Sequence, residues 1–265
     1  MLLHTLLINA TWLLVAVCLL WLVGTLRKDV SLADPFWGAG FVGVAWVSLA
    51  VSGATEPRIL LLAILTTLWG LRLGAYLLWR NWGQEEDRRY AEMRKRQGSR
   101  FWWLSLFTVF LLQGVILWFV SLPIQLAATY DDSKPLGWLD VAGIIVWTLG
   151  VFFEAVGDWQ LSSFKAKPEN SGKVMDRGLW HFTRHPNYFG DFCVWWGLYL
   201  IASAGGAYWT FLSPLLMSVL LMKVSGVTLL EGSISDRRPD YARYKARTSS
   251  FFPWFPMPES ASSTS

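Results

Sequence analysis

ILLLAILTTLWGLRLGAYLLW, residues 59–79, carries a single charge, Arg72, in 21 residues. A helix needs about 20 mostly apolar residues to cross the hydrocarbon core of a bilayer, so this stretch reads as a membrane span. Working outward, the same rule gives spans near 4–26, 36–52, 102–127, 138–160, 188–204 and 207–230. The expectation is an all-α, polytopic integral membrane protein of seven transmembrane helices. Its composition agrees: 54% of the 265 residues are hydrophobic and only 16% charged, which excludes an ordinary soluble domain. Eighteen Trp suit a protein with two membrane interfaces, where the ring is apolar and the N–H meets water. Cys18 and Cys193 sit inside apolar runs and read as packing residues. The run from Met1 to Gly24 lacks a basic start and a small-residue cleavage site, so it reads as a retained helix.

Seven spans put the termini on opposite sides, and the distribution of basic residues chooses between the two orientations. With the N-terminus outside and the C-terminus cytosolic, the cytosolic side receives Arg27, Lys28, seven basic residues from Arg80 to Arg100, five from Lys165 to Arg184 and five in the tail. The other side receives Arg58 and Lys134. The net charge of +4 then reflects orientation and attraction to anionic lipid headgroups; a nucleic-acid partner does not fit so apolar a chain. The stretch 80–100 mixes acids and bases and reads as a helix with charged pairs at i,i+3 and i,i+4, in its plainest form a solvated face. Residues 1–257 read as one domain, and 258–265 as a disordered Ser-rich tail.

An ionisable group at bilayer depth is costly, so it tends to face the bundle interior and mark a site. Asp34 opens the second span beside Pro35, where it could equally be a helix N-cap. Arg72 lies half-way along the third span. Glu154 and Asp158 share one face of the fifth at i,i+4 and would repel unless cations or donors met them. Asp191 falls early in the sixth; Lys223 is placed to snorkel, and Glu231 belongs to the end of the seventh. A cavity opening to the cytosol accounts for most of this set.

The densest polar cluster is Asp176-Arg177-Gly178-Leu179-Trp180-His181-Phe182-Thr183-Arg184-His185-Pro186-Asn187-Tyr188-Phe189-Gly190-Asp191. It reads as a basic loop feeding a helix start, and free N–H groups there, with Lys165, Arg177, Arg184 and His185, suit a phosphate. A loop that merely holds lipid headgroups would explain the arginines but not Asn187, Tyr188 and Asp191 at helical spacing. The tail repeats the pattern with Arg237, Arg238, Asp240, Tyr241, Tyr244, Lys245 and Arg247 before an aromatic end, Phe251 to Pro256. Those groups could cover a nucleotide or simply lie at the interface.

The run Arg184 to Asp191, preceded by Asp176 to Trp180 and followed by Asp240-Tyr241, resembles the C-terminal region of the steroid 5-alpha-reductase family, and more closely its bacterial branch. The resemblance covers roughly residues 30–256 and is strongest from Glu154 onward, with 158–257 as the cofactor-binding half. It implies a monomeric seven-helix enzyme of the bacterial inner membrane that takes NADPH from the cytosol, needs no metal, and reduces the C4–C5 double bond of a lipophilic 3-oxo-4-ene steroid. In that comparison Asn187 and Asp191 match the family's cofactor-binding Asn and acid, Asp158 matches the acid of the fifth helix, and Lys165 stands where the family has Arg. Arg72, Tyr76 and Arg80 match a third-helix Arg, Tyr and Arg. Gln113-Gly114 matches a Gln-Gly of the fourth helix.

Glu154, Arg177, Arg184, His185, Tyr188, Tyr241 and Lys245 join the expected cofactor set. Asp34 falls where the animal enzymes carry the Glu that meets the substrate ketone, with Tyr76 as reserve donor. Trp69 falls on a ketone-polarising Tyr, which it cannot replace as an acid. Phe36, Trp37, Trp69 and Gln113 would receive the substrate. Hydride transfer to an enone builds negative charge on the carbonyl oxygen, so a donor is needed there; Asp34, kept protonated, is the expected one. The shorter Arg-His-Pro-x-Tyr-x-Gly core also occurs in isoprenylcysteine and phospholipid methyltransferases that use S-adenosylmethionine. Asp191 and the number of cations favour NADPH, with its 2′-phosphate and pyrophosphate. A transporter would keep its charges nearer the bilayer midplane.

Overall fold

The computed structural model describes residues 1–130, 135–224 and 240–258. Its regular elements are all helical: α1 Leu2–Arg27, α2 Ala33–Ser52, α3 Pro57–Asn81, α4 Arg88–Gln97, α5 101–120, α6 Leu122–Ala127, α7 Trp138–Lys165, α8 Leu179–Phe182, α9 Pro186–Ala204, α10 212–224 and α11 Tyr241–Arg247. Among the described residues, five stretches are long and apolar enough to cross a membrane: α1, α2, α3, the run Arg88–Val120 and α7. The side-chain distribution on α1 is that of a helix with lipid outside. Thr5, Asn9, Leu13, Val17 and Gly24 are buried, whereas Leu3, Leu7, Leu14, Leu19, Leu22 and Leu26 are 47–75% exposed. Water would not tolerate so large an apolar face; hydrocarbon prefers it.

The chain divides into two compact units, one of Met1–Asp140 with Leu198–Ser213, the other of Val141–Gly197 with Pro214–Ser265. In the first unit, α2 and α3 form a tight antiparallel pair. A Cβ on Gly38 would stand 2.0 Å from the Gly70 carbonyl oxygen, so only glycine permits this approach. Asn9 of α1 donates to Ser48 of α2 at 2.8 Å, a buried polar link between helices. Arg58, at the start of α3, is 6% exposed and bonds both carboxylate oxygens of Asp140, at 2.8 and 3.1 Å.

The expected continuous span 102–127 is broken. Helix α5 ends at Val120, and the short α6 starts at Leu122 with Pro123 in its first turn. Proline has no N–H to continue the ladder, and its ring excludes the carbonyl four residues earlier. That carbonyl, of Phe119, accepts instead from Ser213 Oγ at 2.9 Å. Within α5, residues Leu106–Leu111 form a π-helical stretch. The inserted residue rotates the remainder of the helix, and Phe110, Gln113, Gly114 and Leu117 come to line one cavity.

In the second unit, α7 and α9 cross on glycines. A Cβ on Gly150 would meet the Gly190 carbonyl oxygen and the Val194 amide nitrogen, each at 2.6 Å. Gly157 touches Pro186 and Asn187 in the same way, at 3.2 and 3.3 Å. This close crossing is what carries the acidic face of α7 to the start of α9.

Candidate active site

In the first unit the site is a directed chain of hydrogen bonds. Trp37 Nε1 donates to Gln113 Oε1 at 2.9 Å, Gln113 Nε2 to the Tyr90 hydroxyl at 3.2 Å, and Tyr90 to Asp34 Oδ1 at 2.7 Å. From the other side Arg89 Nη2 donates to Asp34 Oδ2 at 2.6 Å. Asp34 is therefore not the N-cap of α2, whose helix already begins at Ala33 after Leu32. It lies in the first turn, and both of its oxygens accept hydrogen bonds. Arg89 and Tyr90 belong to α4, so this helix is more than the solvated face its charges suggest. Asp87 caps it, accepting from the Arg89 amide at 2.9 Å.

Three further contacts bind α4 and the residues before it to the turn between α1 and α2, and a fourth joins Arg94 to Glu86. The Asp87 amide donates to Ser31 Oγ at 2.7 Å and the Val30 amide to Glu86 Oε1 at 3.0 Å. Arg94 holds Glu86 at 2.7 Å and the Lys28 carbonyl at 3.1 Å. Burial works against the charge on Asp87, but the side-chain and backbone hydrogen bonds and the charge of Arg89 outweigh it and hold its carboxyl below the usual carboxylate range.

Beside this network Val17, Leu20, Ala33, Phe36, Trp37, Phe110, Gln113, Gly114 and Leu117 line a part-open cavity of about 10 Å³, the volume of roughly one water. Trp69 lies apart from its wall, 1% exposed and tilted against Phe41, which leans in turn on Trp37. Arg72, Tyr76 and Arg80 form their own ladder along α3, with the two guanidinium groups 5.5 and 6.0 Å from the Tyr76 ring.

The second unit holds the other group. Asp158 and Glu154, 4% and 3% exposed, face the start of α9, where Asn187 Nδ2 donates to Asp158 Oδ1 at 3.2 Å. Asn187 Oδ1 accepts the Tyr188 amide at 3.1 Å. His185 is buried and stacks on Tyr188 with ring centroids 5.5 Å apart. Asp191 is half-buried one turn further on, and Lys165, Arg177 and Lys245 are exposed.

Arg184, expected among the phosphate-binding groups, meets the C-terminal segment. It is 8% exposed, and its Nη1 donates to the carbonyls of Lys245 and Thr248 at 2.9 and 2.5 Å. It clamps the C-terminal segment onto the loop. Thr183 Oγ1 to the Phe251 carbonyl at 2.8 Å, the Trp254 amide to the Phe182 carbonyl at 2.9 Å, and Tyr244 to the Trp180 carbonyl complete the seam. Tyr241 is buried in α11. Glu231, Arg237 and Arg238 lie outside the described residues.

The model of a family described as a protein of unknown function (DUF1295) matches residues 20–248. The chain belongs to this family. Among curated proteins it is similar to an uncharacterized protein of Schizosaccharomyces pombe, 26% identical over 88% of this chain and 75% of that protein. Two shorter likenesses point to chemistry. One is to a steroid 5-alpha-reductase of Gossypium hirsutum, 26% identical over 26% of each chain. The other is to a probable O-methyltransferase of Ustilaginoidea virens, 36% identical over 25% of this chain and 23% of that protein. The chain therefore spans about a quarter of each of these two enzymes. No solved structure matches.

Sequence reasoning missed Arg89 and Tyr90. The available signal was Asp87 as an N-cap two and three residues before them, but nothing local ties them to Asp34, 55 and 56 residues away.

Proposed function

We propose that this chain is a seven-span membrane reductase that uses NADPH to saturate the C=C bond of a lipidic enone, of which a 3-oxo-4-ene steroid is the reference. The observation that carries the reading is the hydrogen bond from half-buried Asn187, in the Arg184-to-Asp191 run that resembles the reductases, to buried Asp158, with Glu154 beside it. The partial likeness to a steroid 5-alpha-reductase supports it. In the proposed orientation the N-terminus is outside, the C-terminus is cytosolic, and the protein sits as a monomer in a bacterial inner membrane.

The second unit offers a donor set of the right chemistry for a phosphorylated dinucleotide. Lys165, Arg177 and Lys245 are exposed cations for phosphates, Asn187 is an amide with both donor and acceptor, and Glu154 and Asp158 are acceptors for hydroxyl or amide hydrogens. Arg184 serves by holding Lys245 in place. NADPH, when bound, supplies a hydride to the β-carbon of the enone. The protein's part is to exclude water, to place a donor at the carbonyl oxygen where the displaced electron pair gathers, and to admit one proton to the α-carbon; the balance is enone, NADPH and H⁺ to saturated ketone and NADP⁺. Trp37, Phe36 and Gln113 are the candidate substrate groups of the first unit, linked through Tyr90 to Asp34.

A second reading, an S-adenosylmethionine-dependent membrane methyltransferase, is favoured by the likeness to a probable O-methyltransferase. One experiment separates them: thermal shift of the detergent-purified chain with NADPH, NADH and S-adenosylmethionine. A ligand that binds only the folded state stabilises it in proportion to ln(1 + [L]/Kd). The reductase reading expects stabilisation by NADPH, lost in Asn187→Ala. Stabilisation by S-adenosylmethionine alone overturns it.

A further inference from the structure

Resemblance places the donor for the substrate carbonyl at Asp34, but that carboxylate accepts from Arg89 and Tyr90 and offers no hydrogen. The neighbouring hydrogens can be assigned one by one. An indole N–H only donates, so Trp37 fixes which end of the Gln113 amide is oxygen. The Gln113 nitrogen must then face the Tyr90 hydroxyl, whose own hydrogen goes to Asp34. The single polar hydrogens of Trp37 and Tyr90 are thus both committed along this chain. The Gln113 amide has two, and the bond to Tyr90 uses one.

Gln113 also lines the small, part-open cavity, whose other walls, Phe36, Phe110 and Leu117 among them, are apolar. About 10 Å³ is space for one oxygen-sized group and no more. A single amide donor in an apolar pocket of that size suits an acceptor oxygen carried on an apolar frame.

We propose that Gln113 is the group that hydrogen-bonds the carbonyl oxygen of the substrate, and that Tyr90, Asp34 and Arg89 are positioning residues that hold the amide in its orientation. The inference rests on the reductase reading and names the donor that reading requires. In an apolar, preorganised setting a neutral N–H stabilises the growing negative charge on oxygen without itself losing a proton. Trp37, donating to the amide oxygen, draws electron density from the nitrogen and so polarises the remaining N–H, while Tyr90, held to Asp34, takes the other hydrogen and fixes the orientation.

The test uses the full chain in detergent with NADPH present, and two steroids of one frame, androst-4-en-3-one and androst-4-ene, which lacks the oxygen. Wild type is expected to bind the ketone roughly fivefold or more tighter, the worth of one hydrogen bond. Gln113→Leu and the near-isosteric Gln113→Glu should both abolish that preference, and Tyr90→Phe should narrow it. In all three variants the stabilisation by NADPH alone should stay at the wild-type value, which reports that the fold and cofactor end are intact. With androst-4-en-3-one as substrate, kcat should fall about 100-fold in Gln113→Leu, the usual cost of an oxyanion donor, while KM for NADPH is unchanged.

A preference for the ketone that survives in both Gln113 variants overturns the inference. So does a wild type that binds NADPH yet does not distinguish the two steroids, and there the reductase reading stands. A wild type that NADPH does not stabilise overturns that reading and this inference together.

Discussion

Arg58 and Asp140 show how a single residue is judged by its partner. The pair is buried, with side chains 7% and 1% exposed. Asp140 also accepts the Gly137 amide at 2.8 Å, and Arg58 reaches the Pro135 carbonyl at 3.1 Å. Removing one partner strands a charge, which costs about 3–5 kcal/mol, whereas replacing both with apolar residues is often nearly neutral. Arg58→Met or Asp140→Leu alone is expected to lower the melting temperature in detergent sharply, and the double variant to recover most of the loss. Equal losses in all three would show that the pair is not coupled. In the sequence Arg58 counts only as one of two basic residues outside the basic face. Its partner lies 82 residues on, and no local pattern connects them. Asp34 was legible as an ionisable group too costly to be idle; its engagement with Tyr90 was not, for the same reason.

Two elements carry the geometry of the site. The crossing of α7 and α9 depends on Gly150 and Gly190, where an added Cβ would run into backbone rather than into a side chain that can swing away. Gly150→Val is expected to cost about 1–3 kcal/mol or more through overpacking, and to weaken NADPH stabilisation by separating Asp158 from Asn187. Retention of both the melting temperature and the NADPH shift would mean the crossing does not hold the pair. Helix α4 is fixed through Asp87, whose carboxyl is held below its ordinary range, chiefly by Arg89 against the cost of burial. A depressed folded-state value contributes stability that is present above the unfolded value and is lost as the pH falls through the folded one. Asp87→Asn should therefore lower the melting temperature at neutral pH and flatten its fall below about pH 4; parallel wild-type and variant curves would exclude this role. Helix α4 was legible as a helix from its charge spacing. The π-helical stretch in α5 was not, because it alters backbone register without a sequence sign, and Pro123 was present in the sequence but outweighed by the apolar run around it.

At the scale of the whole molecule, the proposed orientation makes a labelling prediction. After Cys18 and Cys193 are replaced, a cysteine at exposed Thr55, in the turn between α2 and α3, should react with an impermeant thiol reagent in intact cells. One at exposed Ser99 should react only after the membrane is opened. The reverse pattern would invert the orientation and place the basic loops outside. The amino-acid sequence by itself determined the membrane class, the positions of the apolar helices and the segments that gather charge. These come from run length, apolar content and basic-residue counts, which are local and additive properties of a chain facing hydrocarbon. It also marked Glu154 with Asp158, and Asn187 with Asp191, since polar groups at helical spacing inside apolar helices are conspicuous without knowledge of their neighbours. Only the tertiary structure decided that Arg89 and Tyr90 meet Asp34, that Trp37 fixes the Gln113 amide, and that Arg184 clamps backbone carbonyls. Each of these is a choice of hydrogen-bond partner between residues at least 55 apart in the chain. It is settled by how the helices pack, because a buried donor takes whichever acceptor the packing brings within reach.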